Sequence, residues 1–407
     1  MGFFSATTRA ALLLLIPTLS TAAVAAEKQY GPGVTDTEIK IGNIMAYSGP
    51  ASGYGAIGKA EAAYFAMVND QGGINGRKIN FISRDDGYSP PKTVEVARQL
   101  VEQEQVLLLF SNLGTPTNLA IRSYMNERKV PHLSIISGAD AFNDPKHFPW
   151  STPALASYRL EGSIYGRYIS TTLPDAKVAV LYQNDDFGKA KLLGLREGLG
   201  DNADKFIVAT QSYETTDPTI DSQILSLRAS GADVLFVVAL AKIHAQAIRK
   251  VYDIGWKPMY FVDIGGQSLK AVIQPAGVEK AIGLISGNWN KSVTDPQWHD
   301  DPEYKEWLAW MKKYNPSADI SDDLSAGGYQ LGHYLVHLLE ACGNDLTREN
   351  VMKQAASIQN YRLPLFLPGV VLSNSPDDYE AIKQMQLVKF DGNAWKPFGV
   401  LISGVSN

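Results

Sequence analysis

The stretch that decides the fold spans residues 39–86 and reads IKIGNIMAYSGPASGYGAIGKAEAAYFAMVNDQGGINGRKINFISRDD. The runs Ile39–Met45 and Ile79–Ser83 are short and mostly apolar, as expected of parallel strands that are covered on both faces. The segment between them, Gly58–Asn69, has the length and the apolar spacing of an amphipathic helix. The stretch therefore predicts a strand–helix–strand unit, in which the helix joins two parallel strands of one sheet.

The same alternation of apolar runs and helical segments continues along most of the chain. Further strand-like runs are Val106–Phe110, Leu133–Ile136, Val178–Tyr182, Phe206–Thr210, Val234–Val238, Met259–Val262 and Ile282–Ser286. Further helical segments are Pro91–Gln103, Pro116–Asn126, Leu160–Thr172, Lys242–Ile254, Pro302–Tyr314 and Leu324–Ala341. The last segment, Tyr361–Ile402, predicts mostly strands. About four strand–helix units precede the proline-rich break at residues 149–153 and about four follow it, so we predict an α/β protein with two doubly wound parallel-sheet lobes.

The N-terminus predicts export from the cytoplasm. Arg9 precedes the apolar run Ala10–Ile16, and small residues follow at 22–26, which is the order of a cleavable signal peptide. We therefore assign residues 1–26 to a signal peptide and expect the mature chain in the periplasm. The apolar run is too short to span a bilayer comfortably, and a buried N-terminal helix is the alternative.

Composition and charge exclude several classes of protein. The 407 residues are 45% hydrophobic and 19% charged, which is ordinary for a soluble globular protein and long enough for two lobes. The formal net charge of −5 argues against nucleic-acid binding, which needs clustered basic residues. Cys342 is the sole cysteine, so no disulfide can form within the chain.

A glycine pattern opens the first predicted helix. Gly53, Gly55 and Gly58 fit G-x-G-x-x-G, which is the fingerprint of dinucleotide binding. That fingerprint should follow its strand at once, whereas residues 47–52 intervene here, and an exported protein meets little NAD. A flexible loop before the helix is the simpler alternative, and we predict no cofactor.

Two loops at the ends of neighbouring predicted strands carry hydroxyl groups and small residues. Because Pro116 stands in the first turn of a helix, the N–H groups beside Thr115 are free to bind an anion, and a simple N-cap is the alternative role of Thr115. The carboxyl ends of neighbouring strands meet at the edge where open α/β sheets bind ligands. The candidate residues for a carboxylate site are Leu113, Gly114, Thr115, Ser137, Gly138 and Ala139.

The sequence motifs that are typical of enzymes and of metal sites are incomplete or missing in this chain. His333 and His337 are four residues apart on a predicted helix, but Tyr334 stands where the metalloprotease motif has glutamate. Packing within the helix is the better interpretation. We find no nucleophile elbow, phosphate-binding loop or zinc-finger spacing, and we predict neither enzymatic activity nor a metal site.

Several short motifs together resemble the leucine/isoleucine/valine-binding protein family, the type I periplasmic receptors of branched-chain amino acid ABC transporters. The resemblance runs from about Glu38 to Gly399. The motifs that carry it are I-K-I-G at 39–42, S-G-P at 48–50, Y-G at 54–55, N-D-Q-G-G-I-N-G at 69–76, D-D at 85–86 and D-F-G at 186–188.

The resemblance implies two discontinuous lobes that are joined by a three-crossing hinge and close on a ligand between them. The corresponding lobes are residues 27–152 plus 289–363 for the first and 153–288 plus 364–407 for the second. The two loops named above would bind the carboxylate of a small molecule, and Tyr54 would lie at the lip of the pocket. We expect a monomer that delivers this carboxylate to the membrane permease of an ABC transporter.

The chain departs from the family where amino-acid binders hold the α-ammonium. The family's glutamate falls on Ile264, its partner tyrosine on Leu240 or Ala241, and another tyrosine on Phe187. An ammonium buried beside these side chains would be unpaired, which is costly. We therefore predict an aromatic or apolar carboxylic acid as the ligand. An alignment shifted by one residue puts Asp263 at the glutamate position and restores an amino-acid binder, and a sensor subunit without transport is a further alternative.

Overall fold

The computed structural model describes residues 1–4 and 28–403, so the predicted signal peptide lies outside the described residues apart from its first four. Within this part of the chain the strands are β1 (Gln29–Tyr30), β2 (Glu38–Met45), β3 (Lys78–Asp85), β4 (Leu108–Phe110), β5 (His132–Ile135), β6 (Ser151–Pro153), β7 (Val178–Gln183), β8 (Ile207–Tyr213), β9 (Val234–Val238), β10 (Met259–Val262), β11 (Ile285–Asn288), β12 (Asp345–Leu346), β13 (Gln384–Phe390) and β14 (Trp395–Ser403). The α-helices are α1 (Ala56–Asp70), α2 (Pro90–Arg98), α3 (Thr115–Glu127), α4 (Tyr158–Thr172), α5 (Asp186–Leu199), α6 (Ala203–Phe206), α7 (Asp221–Ala229), α8 (Ala241–Asp253), α9 (Gln274–Ala276), α10 (Pro302–Tyr314), α11 (Asp323–Cys342) and α12 (Arg348–Ala355). No helix in the described part of the chain is long and apolar enough to cross a membrane.

Most of the described strands belong to two separate sheets. The first has five parallel strands in the order β3-β2-β4-β5-β6, and the lobe around it is called lobe 1. The second has seven strands in the order β14-β13-β11-β10-β9-β7-β8, and its lobe is called lobe 2. In lobe 2 the strands β7 to β11 run parallel, whereas β13 and β14 are antiparallel. The predicted α/β fold with two parallel-sheet lobes is confirmed.

The strand order of each sheet marks where a ligand would bind. In lobe 1 the strand β2 lies between β3 and β4, and in lobe 2 the strand β7 lies between β8 and β9. The direction in which successive strands are added to the sheet therefore reverses beside β2 in lobe 1 and beside β7 in lobe 2. Open α/β sheets bind ligands beyond the carboxyl ends of their strands at such a point. The loops that follow β2, β4, β7 and β9 are the places where this topology puts a site.

Helices α4 and α5 of lobe 2 pack closely because glycines line their contact. A Cβ atom at Gly194 would lie 2.3 Å from the carbonyl oxygen of Arg159, and one at Gly162 would lie 2.3 Å from the carbonyl oxygen of Lys191. No larger residue fits at either position without moving backbone. The close approach brings Glu161 of α4 beside the side chain of Lys191 on α5.

Within residues 28–403 the chain passes between the two sheets in three segments, after β6, after β11 and before β13. Two of these segments pair with each other. The N–H of Lys291 donates to the carbonyl of Leu365 at 2.7 Å, and the N–H of Leu367 donates to the carbonyl of Trp289 at 2.9 Å. The exact lobe boundaries at residues 152, 288 and 363 stay predictions.

The end of the chain differs from its prediction. Residues 361–383 contain isolated bridges and no strand, so the prediction of mostly strands is wrong for this half of the segment. They include one of the lobe crossings, and Pro364 and Pro368 cannot donate backbone hydrogen bonds to a sheet. Strand β11 begins at Ile285 and not at the predicted Ile282, which is 59% exposed. Helices α5 and α7 lie between predicted strands, in segments for which no helix bounds were predicted.

Candidate functional site

A cavity of about 250 Å³ lies between the two lobes. Its lining includes residues from the loops that follow β2, β4, β7 and β9, as the strand order leads one to expect, together with residues from the other strand ends, from α11 and from the crossings between the lobes. The predicted site residues that line it are Tyr54, Leu113, Gly114, Thr115, Phe187, Leu240, Asp263 and Ile264. The predicted site residues outside its lining are Ser137, Gly138, Ala139 and Ala241.

Two opposite surfaces of this cavity are named by their lobes. The lobe 1 wall consists of Tyr54, Leu113, Gly114 and Thr115. The lobe 2 wall consists of Tyr158, Phe187, Lys191, Leu240, Asp263 and Ile264. Three of the lobe 2 residues are apolar, so this wall can cover an apolar ligand body.

Thr115 places a hydroxyl group on the lobe 1 wall. It is the first residue of α3, and Gly114 before it has a φ of 101°, a conformation that favours glycine. The Thr115 hydroxyl lies 2.8 Å from the hydroxyl of Ser137, which is fully buried. Ser137 therefore positions Thr115 without itself lining the cavity.

Two backbone N–H groups of these loops are engaged within lobe 1. The N–H of Gly114 donates to the carbonyl of Ile136 at 3.2 Å, and the N–H of Ala139 donates to the hydroxyl of Ser137 at 3.1 Å. Both bonds hold the two loops in place. The polar side chain that the lobe 1 wall offers at this point is consequently Thr115.

Tyr158 of the lobe 2 wall reaches this polar corner. Its hydroxyl lies 3.5 Å from the hydroxyl of Thr115. Burial raises the pKa of Tyr158, and the nearby hydroxyl of Ser137 and backbone of Gly138 act in the opposite direction. The hydroxyl of Tyr158 thus lies beside the pair of hydroxyls that Thr115 and Ser137 form in lobe 1. A carboxylate oxygen fits such a set of donors, because hydrogen bonds to a charged acceptor are the stronger ones.

A buried ion cluster, defined as Lys191, Glu161, Asp263 and His244, includes two residues of the lobe 2 wall, Lys191 and Asp263. The ammonium of Lys191 donates to Glu161 at 2.5 Å and to Asp263 at 2.8 Å. The Nε2 atom of His244 donates to the other carboxylate oxygen of Asp263 at 2.6 Å. All four side chains are buried. The lobe 2 wall is therefore charged as well as apolar. Asp263 was a predicted candidate, whereas Lys191 was not predicted.

The electrostatics of the cluster shift the pKa values of its two carboxyl groups in opposite directions. Burial raises the pKa of Glu161 above its ordinary value. Burial acts in the same direction on Asp263, but the charge of Lys191 and the hydrogen bond from His244 outweigh it, so the pKa of Asp263 is lowered. Burial would lower the pKa of Lys191, but the nearby charges of Asp263 and Glu161 outweigh it, so this pKa is raised. Lys191 and Asp263 thus form a charged pair at neutral pH.

The carboxylate of Asp263 is engaged on both oxygens. It accepts hydrogen bonds from the N–H of Ala239 and the N–H of Gly265, each at 3.2 Å, in addition to those from Lys191 and His244. A carboxylate offers about four lone-pair positions, so little acceptor capacity is left. This geometry argues against Asp263 as the partner of a ligand's ammonium.

Helical spacing is the signal by which Lys191 could have been found in the sequence. Phe187, Lys191 and Leu195 are four residues apart and share the buried face of α5. A lysine in such a stripe needs a buried partner, because lysine is almost never fully buried alone. The partners themselves carry no such signal, since Glu161 and Asp263 are 30 and 72 residues away along the chain.

Tyr54 connects the two lobes beside the cavity. Its hydroxyl donates to the carbonyl of Gly265 in lobe 2 at 3.1 Å. The preceding residue, Gly53, lies so close to lobe 2 that a Cβ atom there would be 2.8 Å from the Cβ atom of Ala271. Of the glycine pattern at residues 53–58, Gly53 therefore permits contact between the lobes, whereas Gly55 and Gly58 pack against Tyr47.

A second polar region of the cavity lies at the start of α11. Asp323 lines the cavity and accepts a hydrogen bond from the N–H of Val293 at 3.1 Å. Burial raises the pKa of Asp323 to about 7 and that of Asp322 to about 6. Asp323 is consequently close to half protonated at neutral pH.

The described residues 1–4 and 28–403 contain no group of three or more His, Cys, Asp or Glu side chains that could hold a metal ion. The two histidines of α11 pack on aromatic rings. The ring of His333 lies 4.7 Å from that of Tyr64, and the ring of His337 stacks on Tyr361 at 3.9 Å. Their spacing reflects packing of the helix.

Comparisons with known proteins agree with this architecture. A family model described as periplasmic binding protein matches residues 38–394. The chain is also similar to Leu/Ile/Val-binding protein homolog 7 of Brucella abortus, with 23% identity over 318 residues. That alignment covers 75% of this chain and 77% of the relative.

Two solved structures have a similar fold. A branched chain amino acid ABC transporter protein from Thermus thermophilus with bound valine gives a TM-score of 0.81 at 17% identity, covering 91% of this chain and 98% of that one. A solute binding protein of an ABC transporter from R. palustris, in complex with 4-hydroxybenzoate, gives 0.76 at 18% identity, covering 90% and 97%. At these identities the likeness shows the fold alone.

Proposed function

The chain belongs to the periplasmic binding protein family, among the type I members related to Leu/Ile/Val-binding proteins, and we propose that it binds an aromatic or apolar carboxylic acid between its lobes. Its class is that of the solute-binding proteins of ABC transporters. We further propose that residues 1–26 are removed on export, and that the mature chain acts as a monomer in the periplasm and delivers its ligand to a membrane permease. A catalytic step has no part in this proposal.

One observation carries the proposed carboxylate. The hydroxyl of Thr115 lies 3.5 Å from the hydroxyl of Tyr158 and 2.8 Å from that of Ser137, so three hydroxyl groups meet at the edge of the cavity. The start of α3 adds the positive end of the helix dipole, which favours an anion at this point. An acid group of the ligand would be held here by replacing or joining the Tyr158 hydroxyl.

The apolar part of the ligand is proposed from the rest of the lining. Leu113, Phe187, Leu240 and Ile264 surround the polar corner with aliphatic and aromatic carbon. Ligand sites of this kind are mostly apolar and carry a few polar groups that orient the ligand. The R. palustris protein bound to 4-hydroxybenzoate is an example of such a ligand on a similar fold.

An amino acid is the second candidate ligand, because the similar Thermus thermophilus structure contains valine. It requires an acceptor for the α-ammonium near the carboxylate site. Asp263 is the acid of the lobe 2 wall, but its oxygens are occupied by Lys191 and His244. The aromatic or apolar acid is therefore the better-supported ligand.

Isothermal titration calorimetry of residues 27–407 tests the proposal with 4-hydroxybenzoate, cinnamate, leucine and valine. We expect the aromatic acids to bind at least about tenfold more tightly than either amino acid, which corresponds to about 1.4 kcal/mol. Cinnamamide is the matched control, since it keeps the aromatic body and lacks the carboxylate, and it should not bind. Tight leucine or valine binding without a response to aromatic acids would overturn the proposal.

A further inference from the structure

Lys191 is a buried cation that borders the ligand cavity. It lies on α5 among apolar residues, its side chain is 0% exposed, and it belongs to the cavity lining. A lone buried ammonium is costly, so its position requires the acids that surround it. Those acids come from α4 and from the loop after β10, which the fold brings together at this point.

The ammonium of Lys191 is held by two carboxylates and two aromatic rings of the protein itself. Glu161 and Asp263 accept hydrogen bonds from its ammonium at 2.5 and 2.8 Å. The rings of Tyr158 and Phe187 lie beneath it, with centroids 4.8 and 5.3 Å from Nζ. These aromatic faces attract a cation, so the position is built to hold one positive charge.

The position of this charge relative to the carboxylate corner follows from Tyr158. One face of its ring contacts the Lys191 ammonium, and its hydroxyl lies 3.5 Å from the hydroxyl of Thr115. The cation and the carboxylate corner are therefore separated by a single phenol ring. A substituent next to a carboxylate at Thr115 can therefore approach this part of the lobe 2 wall.

We propose that Lys191 is a specificity-determining residue, whose ammonium occupies the position in the lobe 2 wall that would otherwise receive the amino group of a ligand. An amino acid would bring a second ammonium toward a fixed one and find Asp263 already paired. A carboxylic acid without an amino group meets no such repulsion. This inference rests on the proposed function and deepens it, because it names the excluded class as α-amino acids.

Two ligands that differ only in the amino group test the inference. Phenylalanine and 3-phenylpropanoate share a carboxylate and a benzyl side chain, and calorimetry gives the ratio of their affinities. Wild type should favour 3-phenylpropanoate at least about tenfold. In Lys191→Met the carboxylates of Glu161 and Asp263 lose their cation, so the ratio should shift toward phenylalanine by about tenfold or more.

The control variant is Lys189→Met, an exposed lysine on the same helix. It should leave the affinity ratio unchanged. If Lys191→Met does not fold, the variant Lys191→Met with Glu161→Gln and Asp263→Asn removes the buried charges together. The fixed cation is then absent, so the preference for 3-phenylpropanoate should fall toward equality. A folded variant of either kind that keeps the wild-type ratio would overturn the inference.

A second measurement does not depend on these two ligands. Lys191→Ala opens space beside Glu161 and Asp263, and n-propylammonium added at millimolar concentration should enter it and raise the Tm in a saturable way. Lys189→Ala should show no such rise. The absence of a saturable rise in Lys191→Ala contradicts a cation position reached from the cavity. Failure of the proposed function looks different, because wild type then binds leucine or valine tightly and ignores apolar acids.

Discussion

The two walls of the cavity hold polar groups in different ways. The lobe 1 wall offers an uncharged hydroxyl, Thr115, whose support is a hydrogen bond of 2.8 Å from Ser137 within the same lobe. The lobe 2 wall contains full charges, but Lys191 and Asp263 neutralise each other within 2.8 Å. The difference supports the proposal that lobe 1 receives a ligand's negative charge, whereas lobe 2 supplies apolar cover and a charge that is already paired.

The largest expected effect comes from breaking the pairing in the lobe 2 wall. Lys191→Met should lower the free energy of unfolding by about 3–5 kcal/mol, because removing one partner of a buried ion pair leaves the other uncompensated. Urea unfolding followed by circular dichroism measures it. The exposed Lys189→Met should change stability by less than about 0.5 kcal/mol. Equal losses in the two variants would mean that the cluster is not the source of the effect.

The next effect concerns Asp323, the aspartate at the start of α11 that lines the cavity. Burial raises the pKa of Asp323 to about 7, above its ordinary value of 3.8, so its protonated form stabilises the folded state at low pH. That contribution is complete below about pH 4 and is lost as the pH rises through about 7. Asp323→Asn should therefore be more stable than wild type at pH 8, by about 1–3 kcal/mol, and similar to it at pH 4.

Thermal unfolding across pH 4–8 checks this prediction, and Asp319→Asn is its control. The N–H and the hydroxyl of Ser321 lower the pKa of Asp319, so its contribution has the opposite sign. The stability that ionised Asp319 contributes is present above its ordinary pKa of 3.8 and is lost as the pH falls. Asp319→Asn should thus lose a little stability at pH 8. A gain at pH 8 in both variants would contradict the assignment to Asp323.

A smaller effect sharpens the role of the lobe 1 wall in binding. Thr115→Val keeps the shape of the side chain and removes its hydroxyl, so carboxylate affinity should fall about tenfold, or about 1.4 kcal/mol. Calorimetry with the tightest-binding aromatic acid measures the change. Thr117→Val is the matched control, because that hydroxyl donates to the carbonyl of Leu113 at 2.5 Å and does not line the cavity. Its affinity should stay within about twofold of wild type.

The smallest expected effect concerns the contact between the walls. Tyr54→Phe removes the hydrogen bond to Gly265 across the cleft, so the closed state should lose about 0.5–1 kcal/mol and ligand dissociation should become a few times faster. Stopped-flow fluorescence gives the dissociation rate. Tyr47→Phe is the control, since its hydroxyl lies 2.6 Å from that of Ser83 within lobe 1. An equal acceleration in both variants would rule out the bond across the cleft as the cause.

The lobes and one edge of the cavity were readable from the sequence because their signals are local. The runs 39–45 and 234–238 predicted strands that the structure confirms, since buried parallel strands need continuous apolar residues. Residues 113–115 lie in the loop after such a strand, and they line the cavity, at the edge where open sheets bind ligands. Residues 361–383 were misread because apolar residues in a hinge and in a strand have the same composition.

The sequence by itself determined a family, a two-lobed α/β fold and the position of Thr115 at a strand end, all of which depend on residues close together in the chain. Only the tertiary structure decided that the lobe 2 wall contains Lys191 and that Asp263 is already paired. The partners of Lys191 lie on α4 and after β10, and the glycine contact between α4 and α5 brings Glu161 within 2.5 Å. Charge compensation is a property of distances in space, and no local pattern of residues specifies it.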